Sequence, residues 1–380
     1  MKKITAVTSS RADYYLLKPL LKKLSLHKDI NLEIMVTGSH LLSNHGSTVA
    51  DIRKDFANIH TIKPLTNKTN STAIHKNLPH YLKHFLEFFN KSKPDILILL
   101  GDRYEIFFAA VASLFNAIPI AHIHGGEVTH GAIDDPMRHS ITKMSHLHFV
   151  SNGTYKNRVK QLGEEPNSIF NVGPMVIDNL LDLKFYNKSE LCDILNIKQL
   201  EEFLLVTFHP ETYGTRDNSR NIAHFLMALK EFPNHQLLFT APNLDQDANL
   251  IRDAINIFVA QNPNAYFFES LGGQCYLSLM RHASCVVGNS SSGIIEAPLL
   301  NIPTVNIGSR QSGRDMSETI FSSLCKTSDI IKTLKKALRY KGIHKSKKLS
   351  KKDSPSSKII KVLQNKDFLL KNHKKFNDII

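Results

Sequence analysis

Long hydrophobic runs are missing from this 380-residue sequence. The longest, such as DILILL (residues 95–100), stop far short of the ~20 apolar residues that span a bilayer, so no membrane partner is expected. Cysteine is scarce: Cys192, Cys275, Cys285 and Cys325 lie far apart with no C-x-x-C pair. That usage fits a reducing cytoplasm and supplies no zinc ligand set. No G-x-x-x-x-G-K-[ST] loop is present, which excludes a P-loop NTPase, and no G-x-G-x-x-G follows the first strand, which counts against a dinucleotide. The opening MKKITAVTSS has the basic start of a signal peptide. Its apolar segment is broken by Thr5, Thr8 and Ser9, and Arg11 and Asp13 follow at once, so it reads as a first β-strand.

Positive charge is what the sequence has in excess, with a formal net charge of +14. Its placement argues against nucleic acid: residues 341–380 carry twelve lysines against three aspartates, so +9 of the +14 sits in that last stretch. No aromatic or arginine-rich reading motif accompanies these lysines, and such tails are solvated faces or frayed ends. The length favours two domains of roughly 150–200 residues.

Short β-branched and apolar runs alternate with amphipathic segments along the chain. KITAVTS, LEIMVTG, DILILLG, IPIAHIH, HLHFVSN and IFNVG are the strand candidates of the first half. FLLVTFHP, HQLLFTAP, NAYFFES, CVVGNSSSG and IPTVNIG follow in the second. Between them lie patterns such as YYLLKPLLKKLSLH and YLKHFLEFFNKS, whose apolar residues recur every three or four positions. This alternation predicts α/β architecture with parallel sheets covered by helices on both faces. The first series ends near residues 172–174. The expected organisation is two Rossmann-like, doubly wound domains facing a cleft, residues 1–173 and 174–355, with a lysine-rich helix or tail over 356–380.

Ligands of such sheets bind beyond the carboxyl ends of the strands. Five polar clusters occupy those places: SSRADY, GDRYE and HGGE in the first half, HPET and GNSSSGIIE in the second. That concentration points to an enzyme. In GNSSSGIIEAP, Ser290, Ser291, Ser292 and Gly293 lead into a helix. Free N–H groups, a positive dipole end and serine hydroxyls together suit a phosphate or diphosphate, whereas one serine would satisfy ordinary N-capping. Glu296, one turn further in, offers acceptors to ribose hydroxyls. Arg11, Arg103, Arg310 and Arg314 follow strands and can neutralise a diphosphate by forked hydrogen bonds.

HIHGGEVTHGAIDDPMRHS (residues 122–140) admits three readings: a metal site, an acid–base site or a polar loop. His122 and His124 alternate within a strand, so they would point to one face and could share a metal. No helical H-x-x-x-H or H-E-x-x-H supports that, and Gly125–Gly126 suggests close backbone approach to a ligand. Asp102, Glu127, Asp134 and Asp135 come from different loops at one sheet edge. Converging carboxylates whose pKa values are pushed apart by burial and crowding can remove and return a proton. One of Asp134 and Asp135 is expected only to cap a helix beginning near Met137.

Taken together, SSRADY, GDRYE, HIHGGE with DDPMRHSITKMSHLHF, FHPET, GNSSSGIIE and RQSGR resemble the hydrolysing UDP-N-acetylglucosamine 2-epimerases of bacterial sialic acid synthesis. The resemblance covers residues 2–330, with the motifs in family order. Non-hydrolysing epimerases carry an H-x-E-A-G-L-R type of motif where this chain has HIHGGE. The resemblance implies a glycosyltransferase-B arrangement and anti-elimination of UDP to 2-acetamidoglucal. Hydration to N-acetylmannosamine follows, with neither nicotinamide nor metal.

Carried over by motif, Asp102, Glu127 and Asp134 are the acid–base carboxylates, and His209 assists the leaving diphosphate or the water. Arg11, Ser290, Ser291, Ser292 and Gly293 hold the UDP phosphates and Glu296 the ribose. Arg310 and Arg314 close over the nucleotide, while Arg103 and Arg138 support the carboxylates. The family often has glutamate where this chain has Asp13, which removes direct ligand contact from what is implied for that residue. A homodimer or a pair of dimers in the cytoplasm is also implied. Epimerases acting on UDP-2,4-diacetamido-2,4,6-trideoxyglucose share nearly all these motifs, and GAIDD resembles them at least as well, so the sugar stays open. A retaining glycosyltransferase would explain GNSSSGIIE but not the carboxylates of the first half, and a nucleotide-sugar sensor would leave its ligand intact.

Overall fold

The computed structural model describes residues 1–42, 48–66, 71–129, 133–211, 217–242, 247–340, 350–365 and 374–378. The chain forms two compact units, Met1–Asp182 with Leu349–Ile380, and Leu183–Lys348.

Among the described residues the first unit is built on seven strands: β1 (Lys2–Thr8), β2 (Ile30–Val36), β3 (Ile59–Thr61), β4 (Ile96–Leu100), β5 (Ile120–Ile123), β6 (Leu147–Val150) and β7 (Ile169–Asn171). Every pairing is parallel, in the order β3-β2-β1-β4-β5-β6-β7. The central strands are buried along most of their length because helices cover both faces; the last five residues of β1 and all five of β4 are buried. Strand order runs outward in both directions from β1 and β4, so the switch point lies between them. Beyond their carboxyl ends sit SSRADY and GDRYE.

The crossover helices are α1 (Arg11–Ser25), α2 (Val49–Asp55), α3 (Ser71–Ser92), α4 (Tyr104–Phe115), α5 (Asp134–Met144) and α6 (Gly153–Gln161), and α7 (Val176–Asp182) follows β7. Helix α1 buries Leu17, Leu20, Leu21 and Leu24 against the sheet. Pro19 inside it has no N–H to give the Tyr15 carbonyl one turn back. That carbonyl instead accepts the Asn179 Nδ2–H at 2.9 Å, and Lys23 Nζ pairs with Asp178 at 3.2 Å. Helix α7 is thereby fastened to α1, and the first unit runs on to Asp182, past the boundary expected at 173.

The second unit carries α8 (Lys188–Leu195), β8 (Phe203–Thr207), α9 (Asn218–Leu229), β9 (Gln236–Thr240), α10 (Ala248–Gln261), β10 (Ala265–Phe268), α11 (Gly272–His282), β11 (Cys285–Gly288), α12 (Ser292–Leu299), β12 (Thr304–Ile307), β13 (Ile320–Ser323) and α13 (Thr327–Leu338). Its parallel sheet repeats the same winding, β10-β9-β8-β11-β12-β13, with the switch point between β8 and β11. HPET and GNSSSGIIE follow those two strands.

The C-terminal segment does not close the second unit. Helix α14 (Pro355–Gln364) returns to the first unit, where Ile359 and Leu363 join the core that contains Leu21 and Leu24. Asp178 accepts the Ser356 N–H at 2.8 Å, and Lys2 Nζ reaches the Leu363 carbonyl at 2.6 Å. Further on, Lys374 Nζ pairs with the buried Glu164 at 2.6 Å and donates to the Lys143 and Ser145 carbonyls at the end of α5. The stretch expected as a separate lysine-rich tail therefore belongs to the first unit. Strands β3 and β13 were not expected; at three and four residues on sheet edges they carry too little pattern to read. Among the described residues no helix is long and apolar enough to cross a membrane.

Candidate active site

Two aspartates follow the switch-point strands of the first unit, and their surroundings give them different work. Asp13 is buried in the first turn of α1, where its carboxylate accepts the Ser9 and Ser10 N–H groups at 2.8 and 2.7 Å. The hydroxyls of Thr8, Ser9 and Ser10 also donate to it, and the Asp13 N–H donates to Ser10 Oγ at 3.4 Å, which completes a capping box. Asp13 is thus fully engaged with its own loop. Asp102, after β4, accepts from Nη2 of Arg138 on α5.

Arg138 organises this edge of the sheet. It is buried, and its guanidinium donates to the Glu127 carbonyl (2.8 Å), Thr129 Oγ1 (3.1 Å), Asp135 Oδ1 (3.3 Å) and Asp102. Helix α5 begins at Asp134, a turn's length earlier than expected, and no side chain caps it. Asp135 does not cap; it accepts the Thr129 N–H at 2.6 Å and pins the loop after HGGE. Asp134 lies beside the Asp102–Arg138 pair. Burial pushes its carboxyl up, the negative charge of Asp102 pushes it further, and Arg103 and Arg138 oppose the shift. One carboxylate bonded to a guanidinium next to another held above its ordinary range is the arrangement that separates a base from an acid. Residues 130–132 of the same stretch lie outside the described residues.

Glu127 completes the group. Its Oε1 accepts from Ser151 Oγ at 3.1 Å and lies 3.3 Å from His124 Nδ1. Arg103 is turned the other way: Nε and Nη2 each sit 3.2 Å from the buried Glu105, so of the two arginines expected to support the carboxylates only Arg138 bonds one of them, Asp102. Arg11 is exposed at the first position of α1.

The two histidines do not share a face. His122 is fully buried in β5, with Nε2 2.8 Å from the Gly101 carbonyl and Nδ1 3.1 Å from Thr142 Oγ1. Burial lowers its pKa to about 3, so it is neutral. His124 lies just beyond the strand at φ +66°, which breaks the alternation, and its Nε2 accepts the Met175 N–H at 3.2 Å. The ring nitrogens of both are engaged by protein groups.

In the second unit, β8 and β11 approach so closely that Gly288 (φ +141°) has no room for a side chain: a Cβ would overlap the Thr207 carbonyl. Asn289 then bridges the two strand ends, accepting the His209 N–H at 2.7 Å and donating to its carbonyl at 2.9 Å. Burial and the nearby Arg310 lower the His209 pKa to about 4. Arg310 Nη1 and Gln311 Nε2 converge on the Asn289 carbonyl at 3.4 and 2.9 Å.

Ser291 stands at the N-cap of α12 but makes no side-chain capping bond. The serine hydroxyls bond one another instead, Ser290 to Ser292 at 3.0 Å, with Tyr276 2.6 Å from Ser292. Gly293 lets α12 lie against Thr304. Behind this turn, Glu296 Oε2 is shielded from solvent and has no hydrogen-bond partner, and burial raises its pKa to about 7 against the weaker pull of Arg314. A buried acceptor without a donor is costly in an empty protein and is satisfied when hydroxyl donors arrive. Sequence reasoning missed Ser151, Tyr276 and Asn289, although Ser151 stood in the strand candidate HLHFVSN and Asn289 in GNSSSGIIE.

The family model of UDP-N-acetylglucosamine 2-epimerase matches residues 22–364. The GDP/UDP-N,N'-diacetylbacillosamine 2-epimerase (hydrolyzing) of Campylobacter jejuni is 40% identical over 85% of this chain and 84% of its own. The polysialic acid biosynthesis protein P7 of Escherichia coli is 40% identical over 83% and 80%. The UDP-N,N'-diacetylbacillosamine 2-epimerase (hydrolyzing) of Legionella pneumophila is 34% identical over 89% of each. Among solved structures, the putative UDP-N-acetylglucosamine 2-epimerase of Listeria monocytogenes superposes with a TM-score of 0.77 over the whole of both chains at 16% identity. The Neisseria meningitidis UDP-GlcNAc 2-epimerase bound to UDP-GlcNAc gives 0.68 over 96% of this chain and all of that one, at 20% identity. The fold is the two-domain, Rossmann-like glycosyltransferase-B type, and the chain belongs to the UDP-N-acetylglucosamine 2-epimerase family.

Proposed function

We propose that this chain is a hydrolysing 2-epimerase that converts UDP-N-acetylglucosamine and water into N-acetylmannosamine and UDP. The observation that carries this is Arg138, bonded to the Asp102 carboxylate and to the Glu127 main-chain carbonyl, with Asp134 held above its ordinary pKa by burial and by Asp102. Inverting C2 requires a proton to leave one face of the ring and another to arrive on the opposite face. At least two acid–base groups are needed, with different protonation at the same pH. Glu127 takes the C2 proton, and the electron pair of that C–H bond forms the C1–C2 double bond as the C1–O bond to UDP breaks. Asp134, whose carboxyl is raised by burial and by the charge of Asp102, then delivers a proton to C2 from the other face while the oxygen of water bonds to C1. Asp102 is fixed in that position by Arg138.

The departing diphosphate is received by the Ser290–Gly293 turn at the head of α12, where N–H groups and hydroxyls stabilise its charge. Arg11, Arg310 and Arg314 supply cations, and His209, neutral, takes the proton that the water loses as its oxygen bonds to C1 or donates an N–H hydrogen bond to the leaving diphosphate. Glu296 accepts from the ribose hydroxyls. A hydrolytic outcome is supported by the likeness to the hydrolysing epimerases of Campylobacter and Legionella. Those names also favour a second reading in which the sugar is UDP-N,N'-diacetylbacillosamine, while the 40% likeness to the Escherichia coli protein favours the sialic acid precursor equally.

The test is NMR of the purified protein with each UDP-sugar in D2O containing EDTA. UDP and N-acetylmannosamine deuterated at C2 are expected from UDP-GlcNAc. Turnover of the diacetamido sugar alone would transfer the same mechanism to the second reading. Recovery of both sugars intact, or dependence on an added acceptor, would refute the hydrolytic reading. Glu127→Gln and Asp134→Asn are each expected to abolish turnover while UDP still binds; full activity in either variant removes that residue from the mechanism.

A further inference from the structure

His124 occupies a backbone conformation that glycine adopts freely and a histidine seldom does, at φ +66°. Two backbone bonds hold it there: its own N–H reaches the Phe149 carbonyl at 2.9 Å, and its Nε2 accepts the Met175 N–H at 3.2 Å. Because a peptide N–H can only donate, Nε2 must carry the lone pair, and the ring proton is left on Nδ1. Nδ1, which carries it, lies 3.3 Å from Glu127 Oε1. Ser151 Oγ donates to the same oxygen at 3.1 Å. Both groups approach the carboxylate at Oε1.

We propose that His124 is a positioning residue for Glu127: its ring, locked in the Nδ1–H form by the Met175 backbone, anchors Oε1 and leaves Oε2 as the oxygen that takes the C2 proton. The proposal rests on the reading of Glu127 as the base. A neutral donor suits that task. A lysine, or an imidazole free to become imidazolium, would place a full positive charge on the carboxylate and weaken it as a base. Protonation of His124 at Nε2 would set two N–H groups against each other, so the Met175 contact opposes it. The other cations of this loop are directed at its carbonyls: Arg138 at the Glu127 carbonyl (2.8 Å) and Arg158 at the Gly126 carbonyl (2.6 Å). The strained backbone at His124 is then part of the device, since an extended residue there would carry the ring along the strand and away from Glu127.

Two substitutions separate the two ring nitrogens. His124→Asn sets an amide near the place of Nδ1 and tolerates the left-handed conformation, so it can still donate to Glu127. His124→Gln reaches the place of Nε2, keeps the Met175 bond and loses the one to Glu127. His124→Gln is expected to lower kcat by roughly 10–100-fold with KM little changed, the loss of the imidazole's polar contact with a charged group. Its kcat–pH profile should lose activity at a higher pH on the acid side, because a carboxylate stripped of a donor is protonated more readily. His124→Asn should recover most of kcat and the wild-type acid limb, and Ser151→Ala should move that limb in the same direction as His124→Gln, by less. Thermal unfolding checks that each variant is folded. Equal losses in both His124 variants with an unmoved profile in all three would overturn the proposal. Full turnover in Glu127→Gln would remove the base assignment itself, and the proposal with it.

Discussion

Replacing Glu296 with glutamine is expected to strengthen the empty protein and weaken its hold on UDP, two effects of opposite sign from one side chain. The carboxyl has a folded pKa of about 7 against an ordinary value of 4.5, because one oxygen is buried without a donor. Between those two pH values the folded chain binds a proton that the unfolded chain has released, so stability falls as pH rises through the window. At ~1.4 kcal/mol per unit the loss amounts to about 3 kcal/mol and is complete above pH 7. Glutamine carries no such linkage. The stability difference in favour of Glu296→Gln should therefore be near zero at pH 4.5 and grow to about 3 kcal/mol by pH 8.

With UDP present the sign reverses. An ionised carboxylate accepting from the ribose makes charge-assisted bonds, each worth about 1.5–3 kcal/mol, which an amide oxygen does not match. Affinity for UDP at pH 8 should drop about 10–100-fold. Urea unfolding of both proteins from pH 5 to 8 and calorimetric titration with UDP measure the two halves. Stability curves that run parallel across that pH range would refute the account of a buried, unpartnered carboxylate. Unchanged UDP affinity would refute its role at the ribose.

Arg138→Met leaves Asp102 and Asp135 without their shared cation; turnover should fall more than about 100-fold and stability by about 3 kcal/mol, read by kinetics and thermal unfolding. Arg138→Lys should not restore either, since an ammonium cannot reach all four acceptors in the plane of a guanidinium. Gly288→Ala drives a Cβ into the Thr207 carbonyl, and loss of UDP binding with disrupted near-ultraviolet dichroism is expected; an unaltered variant would show that β8 and β11 can separate at their ends. Lys374→Met removes one of three partners of the buried Glu164 and should cost about 1–2 kcal/mol in unfolding free energy, His148 and Lys143 keeping the rest. No loss would mean that the C-terminal segment does not stay docked.

The doubly wound fold was legible because its evidence is local and repeated. Apolar runs, DILILL above all, alternate with segments such as YYLLKPLLKKLSLH and YLKHFLEFFNKS that show a helical period. The short edge strands β3 and β13 lacked that redundancy. The return of α14 was not legible either, for IIKVLQ has an apolar face but nothing in it names the face it meets. Within the site, strand ends pointed to the right loops, yet Asp13 and Asp102 look alike as aspartates after a strand. Only tertiary structure distinguishes one saturated by its own serines from one that faces an arginine 36 residues away. The shared face expected for His122 and His124 assumed that the strand continued. It ends at Ile123, and the left-handed turn at His124 redirects the second ring.

Helix geometry explains why Asp134 and Asp135, adjacent in sequence, differ in chemistry. Both lie within reach of Arg138 along α5, one at four residues' distance and the other at three, and both would be ordinary surface acids in isolation. Arg138 bonds Asp135 and, across the sheet edge, Asp102, so its charge is shared between two carboxylates that are held in place. Asp134 receives the field of that arginine without a bond to it, along with the repulsion of Asp102 and the cost of burial, and the balance leaves its carboxyl raised. The rise at Asp134 thus comes from burial first and from the charge of Asp102 second, with Arg103 and Arg138 opposing both. On this view Asp102 contributes to proton return at C2 without touching the proton, and its charge, more than its shape, is what the site requires of it.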